Sequence, residues 1–218
     1  MSARLIACCV VIAACSLLAP RPDRTRFFVL AAMPGGDATT VAGAVRRDAL
    51  IGVGPMTFPS YLRRSPVVTR VGPNSLAFSP TARWAEPVET SLPRVLSRNL
   101  SVMLDTDRIV RYPWLPPTRP DYSVAIEVLR FERTVDGDGE LAAHVTIRDR
   151  EGRVLDGHDV RMLERAEGDG IDGSVAALSD AVVGLSREIA DTTRRLENAR
   201  QKTSDKTAGS SFSEATGR

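Results

Sequence analysis

The sequence predicts a single α/β (α+β) domain, a mixed or antiparallel sheet with two long helices packed on it. Three observations carry this. Residues 122–163 hold three consecutive runs of alternating polarity separated by turn signals. Two stretches, 88–104 and 175–196, repeat apolar residues at spacings of three and four. The 218-residue chain confines Cys8, Cys9 and Cys15 to its first fifteen positions, so nothing behind them can form a disulfide framework, a CxxC redox site or a thiolate zinc site. With Lys+Arg 29 against Asp+Glu 27 the net charge is +2, which lacks the strongly basic footprint of a nucleic-acid binder.

In chain order, Arg26–Leu30 is rich in β-formers and predicts a first strand. Residues 33–47, with Pro34-Gly35-Gly36, read as a loop. Ala49–Val53 predicts a second strand, stopped at Pro55 and Pro59, and Pro59–Arg64 a turn or a single helical turn. Val67–Val71 and Ser75–Phe78 flank Gly72-Pro73-Asn74 as a hairpin. A helix follows on the stripe Val88, Leu92, Val95, Leu96, Leu100, Met103 and Leu104. Pro93 fits either the first turn of a helix capped by Thr90 or Ser91, or a kink in one that starts near Pro87. Ile109–Trp114 is the next expected strand, closed by Pro116-Pro117.

The meander comes next. Tyr122, Val124, Ile126 and Val128 form one face of its first strand, and Leu141, Ala143, Val145 and Ile147 one face of its second. Asp136-Gly-Asp-Gly139 and Asp149-Arg-Glu-Gly152 supply the turns. The last helix carries Val175, Leu178, Val182, Leu185, Ile189 and Leu196, with Asp172 or Ser174 as candidate caps. From Gln201 to Arg218 the composition turns to Ser, Thr, Lys and Gly, which predicts a disordered tail.

The first residues carry an address. Arg4 precedes an apolar run from Leu5 to Ala14, the length of a signal-peptide core and too short to span a bilayer. The run ends Ile12-Ala13-Ala14-Cys15, the pattern of a bacterial lipobox, and this makes Cys15 the expected lipid attachment point. Residues 1–14 are then a signal peptide, 15–25 a lipidated N-terminus and linker, 26–200 the folded domain and 201–218 the tail. Acyl chains anchor in proportion to their length, at about 0.8 kcal/mol per buried CH₂. Ser16 rather than an aspartate after the cysteine leans towards the outer membrane, with the inner membrane as the alternative.

Chemistry is sparse. His144 and His158 lie on neighbouring strands and are too few for a metal site, and no HExxH, nucleophile elbow or phosphate loop occurs. Asp136-Gly-Asp138-Gly lacks the remaining ligands of a calcium loop. No cofactor, no metal and no catalytic residue is expected; the chain reads as a binding or assembly module and not as an enzyme.

Several segments in order resemble the PqiC/YmbA-type auxiliary lipoproteins of ABC-type and MCE-domain transport systems. They are Phe28-Val-Leu30, Ile51-Gly-Val-Gly-Pro55 running into Pro59-Ser-Tyr-Leu-Arg-Arg64 and Val67-Val-Thr-Arg70, Arg83-Trp-Ala-Glu-Pro87 opening the long helix, Tyr112-Pro-Trp114, Asp121-Tyr122, Phe131-Glu132, Val175-Ala-Ala-Leu178 and Leu185-Ser-Arg-Glu-Ile189. The resemblance covers roughly residues 26–196. It implies a domain on the periplasmic face of the outer membrane that assists lipid traffic between membranes and supports envelope integrity. Its implied partners are a periplasmic MCE-domain protein and an inner-membrane transporter component, with phospholipid as a further ligand and a homo-oligomeric ring as a further assembly. Tyr61, Arg63, Arg64, Arg70, Trp84, Tyr112 and Trp114 mix the aromatic and arginine side chains enriched at interface hot spots, and are the candidate docking residues. Other outer-membrane assembly or chaperone lipoproteins, serving β-barrels or lipopolysaccharide export, form the alternative class, and a lipid-anchored enzyme a further one.

Overall fold

The computed structural model describes residues 23–34, 45–46, 48–168 and 170–215, with side chains to residue 203. The signal peptide, Cys15 and most of the expected loop 33–47 lie outside the described residues. The elements are β1 (Arg26–Phe28), β2 (Ile51–Thr57), a 3₁₀ turn (Ser60–Arg63), β3 (Pro66–Gly72), β4 (Ser75–Trp84), α1 (Val88–Met103), β5 (Ile109–Arg111), β6 (Tyr122–Arg133), β7 (Gly139–Asp149), β8 (Val154–Glu164) and α2 (Ile171–Ala215).

Among the described residues the strands form one eight-stranded mixed sheet, ordered β1-β4-β3-β6-β2-β5, with β7 on the other edge of β6 and β8 beyond it. β6 is the hub. It pairs in parallel with β2 from Ile51↔Tyr122, meets β3 at Thr69↔Arg133, and pairs antiparallel with β7 from Tyr122↔Asp149 to Arg133↔Gly139. The expected meander is therefore β6-β7-β8, and the expected hairpin is β3-β4.

The alternating pattern of β6 survives only to a bulge. Tyr122, Val124, Ile126 and Val128 are buried, as expected. Between Val128 and Arg130 the register slips by one residue. An extra residue exchanges the two faces of a strand. Phe131 therefore takes the core side opposite Leu141, and Glu132 turns to the other face opposite Glu140.

The helices cover one face. Leu178, Val182, Leu185 and Ile189 of α2 are fully buried, as are Leu92, Leu96 and Leu100 of α1. Fully burying such a side chain contributes about 1.5–3 kcal/mol. A polar contact joins the two helices: Asn99 Nδ2 donates to Ser186 Oγ at 3.1 Å, and Asn99 Oδ1 accepts from the Met33 amide at 3.0 Å. Both side chains are buried, so the pair fixes the level at which the helices meet.

Several expectations need correction. β2 does not stop at Pro55 but continues to Thr57 through a register shift between Val53 and Met56, since a bulge tolerates the missing amide. β4 runs on to Trp84, so Arg83 and Trp84 close a strand and do not open the helix. Of the two readings of Pro93 the second holds: α1 starts after Pro87, without a side-chain cap, and Pro93 lies inside it. Neither Asp172 nor Ser174 caps α2: Asp172 pairs with Arg26 at 2.6 Å, and Ser174 Oγ donates back to the Gly170 carbonyl at 3.1 Å. The strand expected over 109–114 ends at Arg111, and Tyr112–Pro120 leave the sheet. α2 also continues past residue 200 to Ala215, where the composition predicts a disordered tail; extending a formed helix costs far less than starting one.

Gly139 marks the closest approach of α2 to the sheet. A Cβ there would stand 2.5 Å from the Ala177 carbonyl carbon and from the Leu178 amide nitrogen, both backbone atoms. Gly139→Ala should therefore lower unfolding stability by about 2–3 kcal/mol, the cost of overpacking against a rigid neighbour. Denaturant titration checks this, and a change below 0.5 kcal/mol, the ordinary scatter of surface substitutions, would show that the helix can lift away.

Candidate docking site and its buried supports

A cleft of about 360 Å³ opens at the carboxyl end of β2. Val53, Gly54, Met56, Thr57 and Phe58 form its floor, α1 contributes Glu89 and Pro93, and Arg63 and Tyr112 flank it. Two glycines shape it. At Gly52 a Cβ would meet the Trp114 ring at 2.8 Å and Pro120 at 2.7 Å. Gly54 has φ +111° and would place a Cβ 2.7 Å from Tyr112 Cβ. These two positions let the 112–120 segment lie directly on the β2 backbone. Tyr112 and Trp114 then stack edge to face at 5.4 Å and 88°, with Tyr112 still 55% exposed. Arg63 is exposed and donates from Nε to Glu89 Oε1 at 3.2 Å, an exposed pair that adds little stability.

The seven candidate residues separate. Arg63 and Tyr112 line the cleft, and the half-buried Trp114 stacks on Tyr112 beside it. Arg64 is exposed with its guanidinium 5.0 Å above the Phe78 ring, a cation–π contact. Trp84 is 6% exposed and stacks on Phe131 at 6.0 Å, so it belongs to the core and offers no docking surface.

Tyr61 and Arg70 are directed inward. Glu132 is buried, and its carboxylate takes both: Tyr61 Oη donates to Oε2 at 2.8 Å, and Arg70 Nε pairs with Oε1. Arg70 also donates to the Pro73 carbonyl at 3.0 Å. A buried carboxylate needs such partners to offset its desolvation. Burial, helped by the Glu132 bond, raises the Tyr61 phenol well above its ordinary pKa. These side chains tie the 3₁₀ turn and β3 to β6, and they act on the cleft only by holding Arg63 in place. Glu140, opposite Glu132, is likewise buried and pairs with Arg161 at 2.9 Å and Arg130 at 3.4 Å.

A second cluster escaped sequence reasoning. Tyr122 Oη donates to Glu197 Oε2 at 2.5 Å, and Arg46 Nε lies 3.0 Å from Glu197 Oε1. Asp121 accepts from the Leu50 amide at 2.9 Å and pairs with Arg150 at 3.3 Å. Tyr122 and Glu197 are seventy-five residues apart, and no local pattern in the sequence joins them. The cluster anchors α2 at Glu197, beside a hollow of about 320 Å³ lined partly by Arg153, Leu196 and Arg200. The two histidines each find a carboxylate, His144 with Asp159 at 2.7 Å and His158 with Asp156 at 2.5 Å. Among the described residues no group of three or more potential ligands could hold a metal ion, and no helix is long and apolar enough to cross a membrane.

The description "ABC-type transport auxiliary lipoprotein component" matches residues 28–190. The chain belongs to this family. The match spans β2 to β8, α1 and α2 as far as Ala190, so the cleft and the Glu132 cluster lie within it, while Glu197 lies just beyond its end. A crystal structure of an uncharacterized protein is similar with TM-score 0.63 at 19% identity, covering 77% of this chain and 97% of that one. Protein XCC0632 from Xanthomonas campestris, of family DUF330, is similar with TM-score 0.67 at 16% identity, covering 82% and 99%. At these identities the two likenesses establish the fold. No curated protein matches the sequence.

Burial, and then the hydrogen bond given to Glu197, push the Tyr122 phenol up to about 12. A free tyrosine ionises near pH 10. Above about pH 10 the unfolded chain releases this proton first, so the stability it contributes is intact below that pH and is lost as pH rises through about 12. Urea titrations between pH 8 and 12 should show the decline, and Tyr122→Phe should flatten part of it, Tyr61 supplying the remainder. An unchanged alkaline slope in the variant would remove Tyr122 from this role.

Proposed function

We propose that this protein is a lipid-anchored periplasmic auxiliary subunit of an MCE/ABC-type transport system, docking the periplasmic lipid-conducting component at the outer membrane. The observation that carries the reading is the family match over residues 28–190, a transport auxiliary lipoprotein component. The Ile12-Ala-Ala-Cys15 pattern supports it, because a diacylated Cys15 holds the domain within reach of a membrane surface. Ser16 supports the outer membrane. The partners in this reading are an MCE-domain protein and an inner-membrane transporter component, and the process served is lipid traffic that maintains the envelope. No catalytic role is assigned.

The cleft gives the docking step a physical basis. Arg63 and Tyr112 are exposed and line the same cleft, and Trp114 packs edge to face against Tyr112. Aromatic and arginine side chains held in fixed rotamers lose little entropy on binding. Arg64, displayed beside Phe78, extends the surface.

Affinity purification of the acylated protein from envelopes, followed by identification of what accompanies it, tests the reading. An MCE-domain protein should co-purify. Arg63→Glu with Arg64→Glu should weaken that capture by about tenfold or more while leaving the unfolding midpoint near that of the parent, the behaviour of hot-spot residues outside the core. Recovery of a β-barrel or lipopolysaccharide-export component instead would replace this reading with the assembly-lipoprotein alternative. Undiminished capture by the double variant would move the docking surface elsewhere.

A further inference from the structure

Among the described residues β8 pairs with β7 alone, so its outer edge runs unpaired from Val154 to Glu164. A strand edge of this length presents a row of free amides and carbonyls that favours another strand. No proline or lysine interrupts it. We propose that β8 is a self-association edge on which a second copy of this chain adds its own β8, antiparallel, to make one continuous sheet.

The side chains select both the partner and the register. Val160, His158 and Met162 lie on the face covered by α2, where His158 Nε2 stands 3.5 Å from Glu188 and the Met162 sulfur borders Gly184. Asp159 and Arg161 lie on the opposite, helix-free face, across β7 from His144 and Ala142. Their side chains are 80% and 64% exposed. Two copies related by a two-fold axis through Val160 place Asp159 of each opposite Arg161 of the other. This gives two opposite-charge pairs across the new ladder, from Asp156 to Glu164 on each strand.

Neighbouring registers fail. Sliding one residue sets the helix-covered face against the bare face. Sliding two residues one way sets Asp159 against Asp159, and the other way Arg161 against Arg161. In the selected register the like-charged Asp156 and Glu164 meet only at the ladder's ends, and Asp156 retains His158 at 2.5 Å. Existing contacts are kept as well. Arg161 uses Nε for Glu140, leaving its Nη groups free to donate, and Asp159 gives one oxygen to His144.

The Cys-free body offers a clean test. The mature acylated protein in detergent, followed by sedimentation equilibrium, should contain a dimer. Asp159→Arg turns both pairs repulsive and should raise the dimer dissociation constant about tenfold. Val160→Cys on the two-fold axis should cross-link to a disulfide dimer under mild oxidation, whereas Gly157→Cys, which faces Leu163 of the other copy, should not. Circular dichroism controls for folding of each variant. A protein monomeric throughout, a larger assembly indifferent to Asp159→Arg, or equal cross-linking at both cysteines would overturn the proposal. None of these outcomes depends on the transport partner.

Discussion

Everything in this fold depends on β6 having to satisfy three neighbours at once. One edge receives β2 along the first half and β3 at the end, while the other is taken by β7 along the whole length. The bulge after Val128 reconciles these demands. Before it, the even-numbered residues feed the core under the helices. After it, Phe131 continues that core and meets Trp84, while Glu132 passes to the far face. A strand without the extra residue would put Arg130 into the core and Phe131 into solvent.

Placing Glu132 on the far face has a cost that shapes the neighbourhood. A buried carboxylate needs donors, and Tyr61 and Arg70 supply them. These contacts fasten the 3₁₀ turn and β3 to the hub, and that in turn holds Arg63 at the rim of the cleft. Stability and the proposed docking surface are thus coupled through one acid. Tyr61 and Arg70 belong to the support of the proposed site, and Arg63, Arg64 and Tyr112 to the surface it would present.

Helices cover one side of the sheet only. α1 and α2 occupy one face, and the 112–120 segment lies against β2 through the two glycines that leave it room. Among the described residues no helix covers the other face of β6, β7 and β8, and the outer edge of β8 is unpaired. A tethered module can use such surfaces separately, the cleft towards a transport partner and the edge towards another copy of itself.

Much of the fold was legible in the sequence. The meander, the hairpin and both amphipathic helices follow from periods of two and of three to four, because local geometry and burial act on the same residues there. The lipobox pattern and the Cys-free body are equally sequence properties. The tertiary structure alone decided where strands end and which candidates reach the surface. β2 outlasts Pro55 and β4 outlasts Phe78 because neighbouring strands supply ladder partners that no local rule anticipates. Trp84 and Arg63 are both plausible docking residues by type. One stacks on Phe131 and the other faces solvent, a division set by contacts made far along the chain. The Tyr122–Glu197 bond was invisible for the same reason: sequence records the periodicity of a strand and of a helix, and only packing one upon the other brings the phenol to the acid.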